Sequence, residues 1–149
     1  MNTPTVLSQE FVTPLSDELK TFFSKRGRRR IATSVLHKGE PVGVLMATVA
    51  TDVFPTPYEH KYVWGHENSP RMSGIFITRL SVAQHARGEG FGSLLLHEAI
   101  KLGRTTVRHV YINVPAANMR ARKFLRSNKF SENIFWFTPN HTLMVRYIW

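Results

Sequence analysis

A β-rich run from Gly74 to Val82 is followed by three glycines at alternate positions, Gly88, Gly90 and Gly92. After them Leu94, Leu95, Ala99 and Leu102 recur at helical spacing. A strand, a glycine-rich turn and a helix start narrow the options for this chain more than any other stretch does. Glycines in such a turn let backbone N–H groups approach an anion with no Cβ in the way. The helix start adds unpaired donors and the positive end of the helix dipole. Arg87 places a guanidinium beside them. Leu80, Ser81 and Val82 close the strand, and Arg87, Gly88, Glu89, Gly90, Phe91, Gly92 and Ser93 form the turn and first helical residues. The segment predicts a phosphate-binding site.

Two better-known phosphate loops do not match. A P-loop ends in Gly-Lys-Ser/Thr, and Phe91-Gly92-Ser93 has no lysine. The dinucleotide fingerprint spaces its glycines as Gly-x-Gly-x-x-Gly near the start of a doubly wound sheet. Here the spacing is regular, and the unit follows several antiparallel-looking strands. An ordinary tight strand-to-helix turn would also use glycine, without any ligand.

The rest of the chain supplies one domain, taken as residues 1–149. Thr5 to Phe11 reads as a short strand, and Ser16 can cap a helix through Phe23 that Gly27 ends. Arg30 to His37 and Val42 to Thr51 read as a hairpin around Lys38-Gly39-Glu40-Pro41. Asp52 to Ser73 reads mostly as loop, with an alternating aromatic and polar segment from Tyr58 to His66. Gly103 is expected to end the first long helix. A strand over Val107 to Val114, a helix over Ala117 to Asn128, and strands over Ile134 to Phe137 and Leu143 to Ile148 follow. The order predicts an α/β (α+β) domain: one mixed, mostly antiparallel sheet of six to seven strands flanked by helices.

Charge bears on partners. The net charge is +10, and from Ser81 onward ten Lys/Arg face three acids, Glu89, Glu98 and Glu132. A basic face suits a polyanion, whether a phosphorylated cofactor or a nucleic acid, although it also serves as a merely solubilising surface. Met119 to Arg126 carries four cations on one helix, Arg120, Arg122, Lys123 and Arg126. Some of these are expected to reach a cofactor phosphate. The rest could continue a nucleic-acid track with Lys25 to Arg30. No cysteine is present, which excludes thiolate nucleophiles and cysteine-bound zinc. The seven histidines show no metal-ligand spacing, so no metal is expected. The polar N-terminus and the lack of a long apolar run lead to the expectation of a cytoplasmic protein that does not enter a membrane.

Arg87-Gly88-Glu89-Gly90-Phe91-Gly92 resembles the Arg/Gln-x-x-Gly-x-Gly/Ala pyrophosphate loop of the GNAT superfamily of N-acetyltransferases. Asn118, Ala121, Phe124 and Phe130 fall at the spacing of that family's second signature. The resemblance spans Gly74 to Phe130. It implies the acyl-CoA N-acyltransferase fold, with acetyl-CoA or another acyl-CoA as co-substrate and an amine as acceptor. It also implies direct attack of a neutral amine on the thioester, and cofactor contacts from Leu80 to Val82, Arg87 to Ser93, Asn118 and Phe124.

The chain departs from the family at two places that matter. Many relatives carry a tyrosine seven residues after the asparagine, as acid for the thiolate; here it is Leu125. Some carry a glutamate five residues before it, as base; here it is Asn113. Lys129 also replaces a glycine. Tyr111, Tyr147, His66 and Glu67 are candidate substitutes, and no catalytic residue is assigned. Three readings follow: an N-acyltransferase for a small or protein amine, an acyltransferase for a nucleic-acid-borne amine, and a non-catalytic module binding a polyanion. A homodimer is compatible with each.

Overall fold

The computed structural model describes residues 5–6, 15, 17–19, 22, 27–53 and 72–149. The expected segments Tyr58 to His66 and the pair His66 and Glu67 lie outside the described residues, as do Phe11, Ser16, Phe23, Lys25 and Arg26.

Seven strands form one sheet: β1 (Thr5–Val6), β2 (Gly27–His37), β3 (Glu40–Val53), β4 (Met72–Val82), β5 (Val110–Pro115), β6 (Ser131–Phe137) and β7 (Leu143–Ile148). Their spatial order is β1-β2-β3-β4-β5-β7-β6. Every neighbouring pair is antiparallel except β4 and β5. A parallel pair needs a crossover, and helix α1 (Phe91–Thr106) supplies it. A short helix α2 (Met119–Ser127) links β5 to β6. Leu15, Asp17 to Leu19 and Phe22 are helical, and Leu15 and Leu19 are buried in the core.

The strands alternate as half-buried strands should. Ile31, Thr33 and Val35 of β2 are buried while Arg28, Arg29, Arg30 and Ala32 are exposed. The buried set continues through Leu45, Ala47 and Val49, Ile75 and Ile77, Val110, Ile112 and Val114, then Val145 and Tyr147. Leu95, Ala99, Leu102 and Thr106 of α1 recur at helical spacing and are buried. The apolar members of this set belong to one core cluster with the strands.

Helix α1 does not stop at Gly103. It runs three residues further and closes on Val107, which takes a left-handed conformation with φ of 56°. Gly103 serves packing instead. A Cβ there would sit 2.8 Å from Val110 Cγ2 and 2.9 Å from the Arg108 carbonyl. The glycine lets the end of the helix lie against the start of β5.

One irregularity positions the site. Arg79 pairs with Met46 and Ile77 with Ala47, so Thr78 is an extra residue in β4. Its Oγ1 donates to the Met46 carbonyl at 3.3 Å. Such a bulge bends the strand and increases its twist. The parallel ladder to β5 ends at the same level: only Ile75, Phe76 and Ile77 pair with Val110, Tyr111 and Ile112. Beyond Ile77, β4 stays on β3 through Val82, and β5 stays on β7 through Pro115. The two strands part.

Candidate active site

The parted strands open into a cleft of about 690 Å³. Ile77, Thr78, Arg79, Leu80 and Val82 line it from β4, and Ile112, Asn113 and Val114 from β5. The glycine turn and the first turn of α1 form one end, with Arg87, Gly88, Gly90, Phe91, Gly92 and Ser93. Asn118, Arg120, Ala121, Phe124 and Leu125 close it from the side of α2. Ten of the twelve residues singled out from sequence therefore line one cleft; Ser81 and Glu89 do not. Glu89 is exposed on the turn.

The glycines act in two ways. Gly88 and Gly90 hold φ of 82° and 87°, the left-handed region that disfavours side chains. A Cβ on either would meet nothing within 4 Å, so the space in front of both is open. Gly92 instead permits close approach: its Cβ would lie 3.3 Å from Phe124 Cζ. That contact brings α2 against the start of α1.

The start of α1 is built for an anion. No side chain caps it and no acid sits in its first turn. Its first internal bond runs from the Leu94 N–H to the Gly90 carbonyl at 3.1 Å. The N–H groups of the preceding turn thus have no partner within the helix. Arg87 stands beside them, its Nε donating to the Val82 carbonyl at 3.3 Å. Open glycines, an uncapped helix start and a guanidinium fit a pyrophosphate group.

Asn118 caps α2. Its Oδ1 accepts from the Ala121 N–H at 3.1 Å, which also places it on the cleft wall. Arg122 does not belong to a surface track, contrary to the expectation from sequence. It donates from Nη1 to the Ala116 carbonyl at 2.9 Å, from Nε to the Tyr147 hydroxyl at 3.1 Å, and from Nη2 to Glu132 Oε1 at 2.7 Å. Tyr147 in turn donates to the same Glu132 oxygen at 3.2 Å. The hydrogen bond from Arg122 holds the Glu132 carboxyl below its ordinary range, helped by Tyr147, while desolvation opposes the shift. This network ties α2 to β6, to β7 and to the loop before α2.

Neither described tyrosine candidate lines the cleft. Tyr147 is fully buried and its hydroxyl is committed to the network. Tyr111 is buried and stacked on Phe76 with ring centroids 4.8 Å apart. Burial raises its pKa above the usual value, and the nearby Arg146 only partly opposes that. Leu125, where relatives carry tyrosine, is 1 % exposed and belongs to both the core and the cleft wall. Asn113, where some carry glutamate, lines the cleft, and its Oδ1 accepts from Trp136 Nε1 at 3.4 Å. Among the described residues no group of His, Asp and Glu could hold a metal ion.

Thr78, Arg79 and Ile112 are cleft residues that sequence reasoning missed. Their role follows from where two strands separate, which alternation along a single strand does not show.

Comparison with known proteins agrees with this geometry. The family model described as Acetyltransferase (GNAT) family matches residues 4–130. No curated protein sequence matches. The ribosomal-protein-S18-alanine N-acetyltransferase from Escherichia coli superposes with a TM-score of 0.60 at 18 % identity, covering 99 % of this chain and 92 % of that one. Arabidopsis thaliana NAA60 in complex with acetyl-CoA gives 0.62 at 15 % identity, covering 100 % and 98 %. A nourseothricin acetyltransferase gives 0.57 at 14 % identity, covering 80 % and 64 %. At these identities the solved structures speak for the fold, and the family model, which takes in most of the chain, speaks for descent: this protein belongs to the GNAT acetyltransferase family.

Proposed function

We propose that the protein is an acyl-CoA-dependent N-acetyltransferase whose single domain spans residues 1–149. The observation that carries this reading is the parting of β4 and β5 beside an uncapped, glycine-fronted helix start. An elongated thioester with a pyrophosphate in its middle fits such a site: phosphates at the helix start, the acyl arm between the strands. Arg87 and the amides of Gly88 to Ser93 would take the pyrophosphate. The exposed edge of β4 from Leu80 to Val82 would pair with the amide groups of the arm. Asn118 and Phe124 would border it from α2. Acetyl-CoA supplies the acyl group; the protein supplies position.

The solved relatives act on different acceptors, so the fold does not choose one. One observation keeps a nucleic-acid-borne amine as a second reading. Arg120 lines the cleft, and Lys123 and Arg126 are exposed on the same helix.

Titration calorimetry with acetyl-CoA tests the main reading. Micromolar binding is expected for the wild type and its loss for Gly90→Glu, which puts a carboxylate where phosphate would lie. Equal binding by both proteins would overturn the assignment of the loop. Acetylation of an aminoacyl-tRNA that weakens steeply with salt would favour the second reading.

A further inference from the structure

The two edges of the sheet differ. β1 closes one edge with two residues, Thr5 and Val6, and so short a strand offers little for another chain to pair with. β6 closes the other with seven, Ser131–Phe137, and among the described residues it pairs only with β7. Edges of that length are usually blunted by lysine, proline or a bulge. β6 has neither lysine nor proline. Its one irregularity falls at Asn133, between Glu132 and Ile134, and leaves Ile134-Phe135-Trp136-Phe137 regular.

This edge is also apolar. Phe135 and Phe137, two residues apart, share one face and are 48 % and 50 % exposed. Leu143 pairs with Phe137 and is exposed beside it. Met119, exposed at the start of α2, joins them through Arg122. The Arg122 Cζ lies 5.7 Å from the centre of the Phe135 ring, and its Nη1 lies 3.7 Å from Met119 Sδ. Among the described residues six large hydrophobic side chains are exposed, and four of them gather here.

Charge decides what can cover the patch. The chain carries +10, so two copies repel over most of their surfaces. From Ser131 to Val145, however, there is neither lysine nor arginine. The two cations that α2 brings toward β6, Arg122 and Arg126, lie 2.7 and 3.7 Å from Glu132 Oε1. A second copy can therefore approach along β6 without bringing bare cations together. An acidic or polyanionic partner would match its charges better at Arg120, Lys123 and Lys129, which are exposed. The fitting cover for β6 is an uncharged strand with aromatic side chains, and β6 of another copy is one.

We infer that the protein forms a twofold dimer in which β6 pairs antiparallel with β6 of a second copy, joining two seven-stranded sheets. A twofold axis at Trp136 puts Phe135 of each copy opposite Phe137 of the other. The inference does not depend on the acetyltransferase reading.

Analytical ultracentrifugation of the full chain between about 1 and 100 µM tests it. A reversible dimer is expected in that range. Its dissociation constant should fall as salt rises, because salt screens the repulsion between two +10 chains. Phe137→Lys should raise that constant more than about tenfold with an unchanged circular-dichroism spectrum. Val107→Lys, at a position that is 81 % exposed but lies at the end of α1, should leave it unchanged. The chain has no cysteine, so an introduced one reports cleanly. Mixed under oxidation, Phe135→Cys and Phe137→Cys should cross-link to each other faster than Val107→Cys does to itself, since opposite Cβ atoms in antiparallel strands lie about 4.5–5.5 Å apart. Should Phe137→Lys fail to fold, the cross-linking decides. A monomer at about 100 µM would overturn the inference and leave the edge to a strand of another protein. So would a dimer that salt dissolves, one that survives Phe137→Lys, or cross-linking at Val107 as fast as at β6.

Discussion

At the residue scale, three backbone positions show how conformation and composition interact. Gly88 and Gly90 occupy left-handed conformations at the mouth of the cleft, as their chemistry permits. Val107 occupies the same region at the end of α1 and is 81 % exposed. A β-branched residue there pays a steric cost of about 1–2 kcal/mol that glycine avoids. Gly90→Ala should therefore destabilise the protein by about 1–2 kcal/mol. Val107→Gly should stabilise it by about 0.5–1 kcal/mol, because glycine's entropy offsets part of the relief. Urea unfolding of both variants tests the pair; a loss at Val107 or a gain at Gly90 would contradict it. The contrast also marks what could be read from sequence. Gly88 and Gly90 announce their turn, whereas Val107 ends a helix against its own preference. That is why Gly103 looked like the stop. Leu125 was legible as a departure, but only the fold shows it sealing the wall of the cleft.

At the scale of elements, α2 depends on a few side chains that reach across the fold. Its nine residues are short for a helix to stand on propensity alone. Arg122 anchors it to Ala116, Tyr147 and Glu132. Glu132 sits with its pKa lowered, chiefly by Arg122. A depressed carboxylate contributes stability above its unfolded pKa and loses it as pH falls through the folded one. The melting temperature of Glu132→Gln should thus lie below that of the wild type at pH 7, and the gap should narrow as pH falls below the ordinary glutamate value of about 4.3. A gap that does not narrow on acidification would show that charge is not the cause. Sequence displayed four cations on this helix and gave no reason to pick one. Tyr147 and Glu132 are distant in the chain, and only the pairing of β6 with β7 sets them side by side. The strands themselves were legible to within a few residues, since alternation is local. The Thr78 bulge shows in the sequence only as a one-residue slip of that alternation, from Ile75 and Ile77 to Leu80 and Val82, and its place opposite Met46 and Ala47 needs the register with β3.

At the scale of the molecule, the sheet is two antiparallel blocks. β1 to β4 form one, and β5, β7 and β6 form the other. Three residue pairs between β4 and β5 join them, with α1 laid across. The ladders on either side are longer, nine pairs between β3 and β4 and five between β5 and β7, so the joint is a narrower seam with fewer rungs to break on local opening. The Ile75 N–H, bonded across the joint to the His109 carbonyl at 2.9 Å, reports on the joint. The Val110 N–H, bonded to the Trp149 carbonyl at 3.1 Å, reports on the second block. Hydrogen exchange should find Ile75 less protected than Val110, and acetyl-CoA should slow Ile75 more; equal protection would mean that the sheet opens as one unit. The strands of the first block leave the ribosome before the glycine turn does, and β7, on which β5 lies, leaves last. The cleft is a gap that exists only because two pieces of sheet, made at opposite ends of synthesis, meet along three rungs.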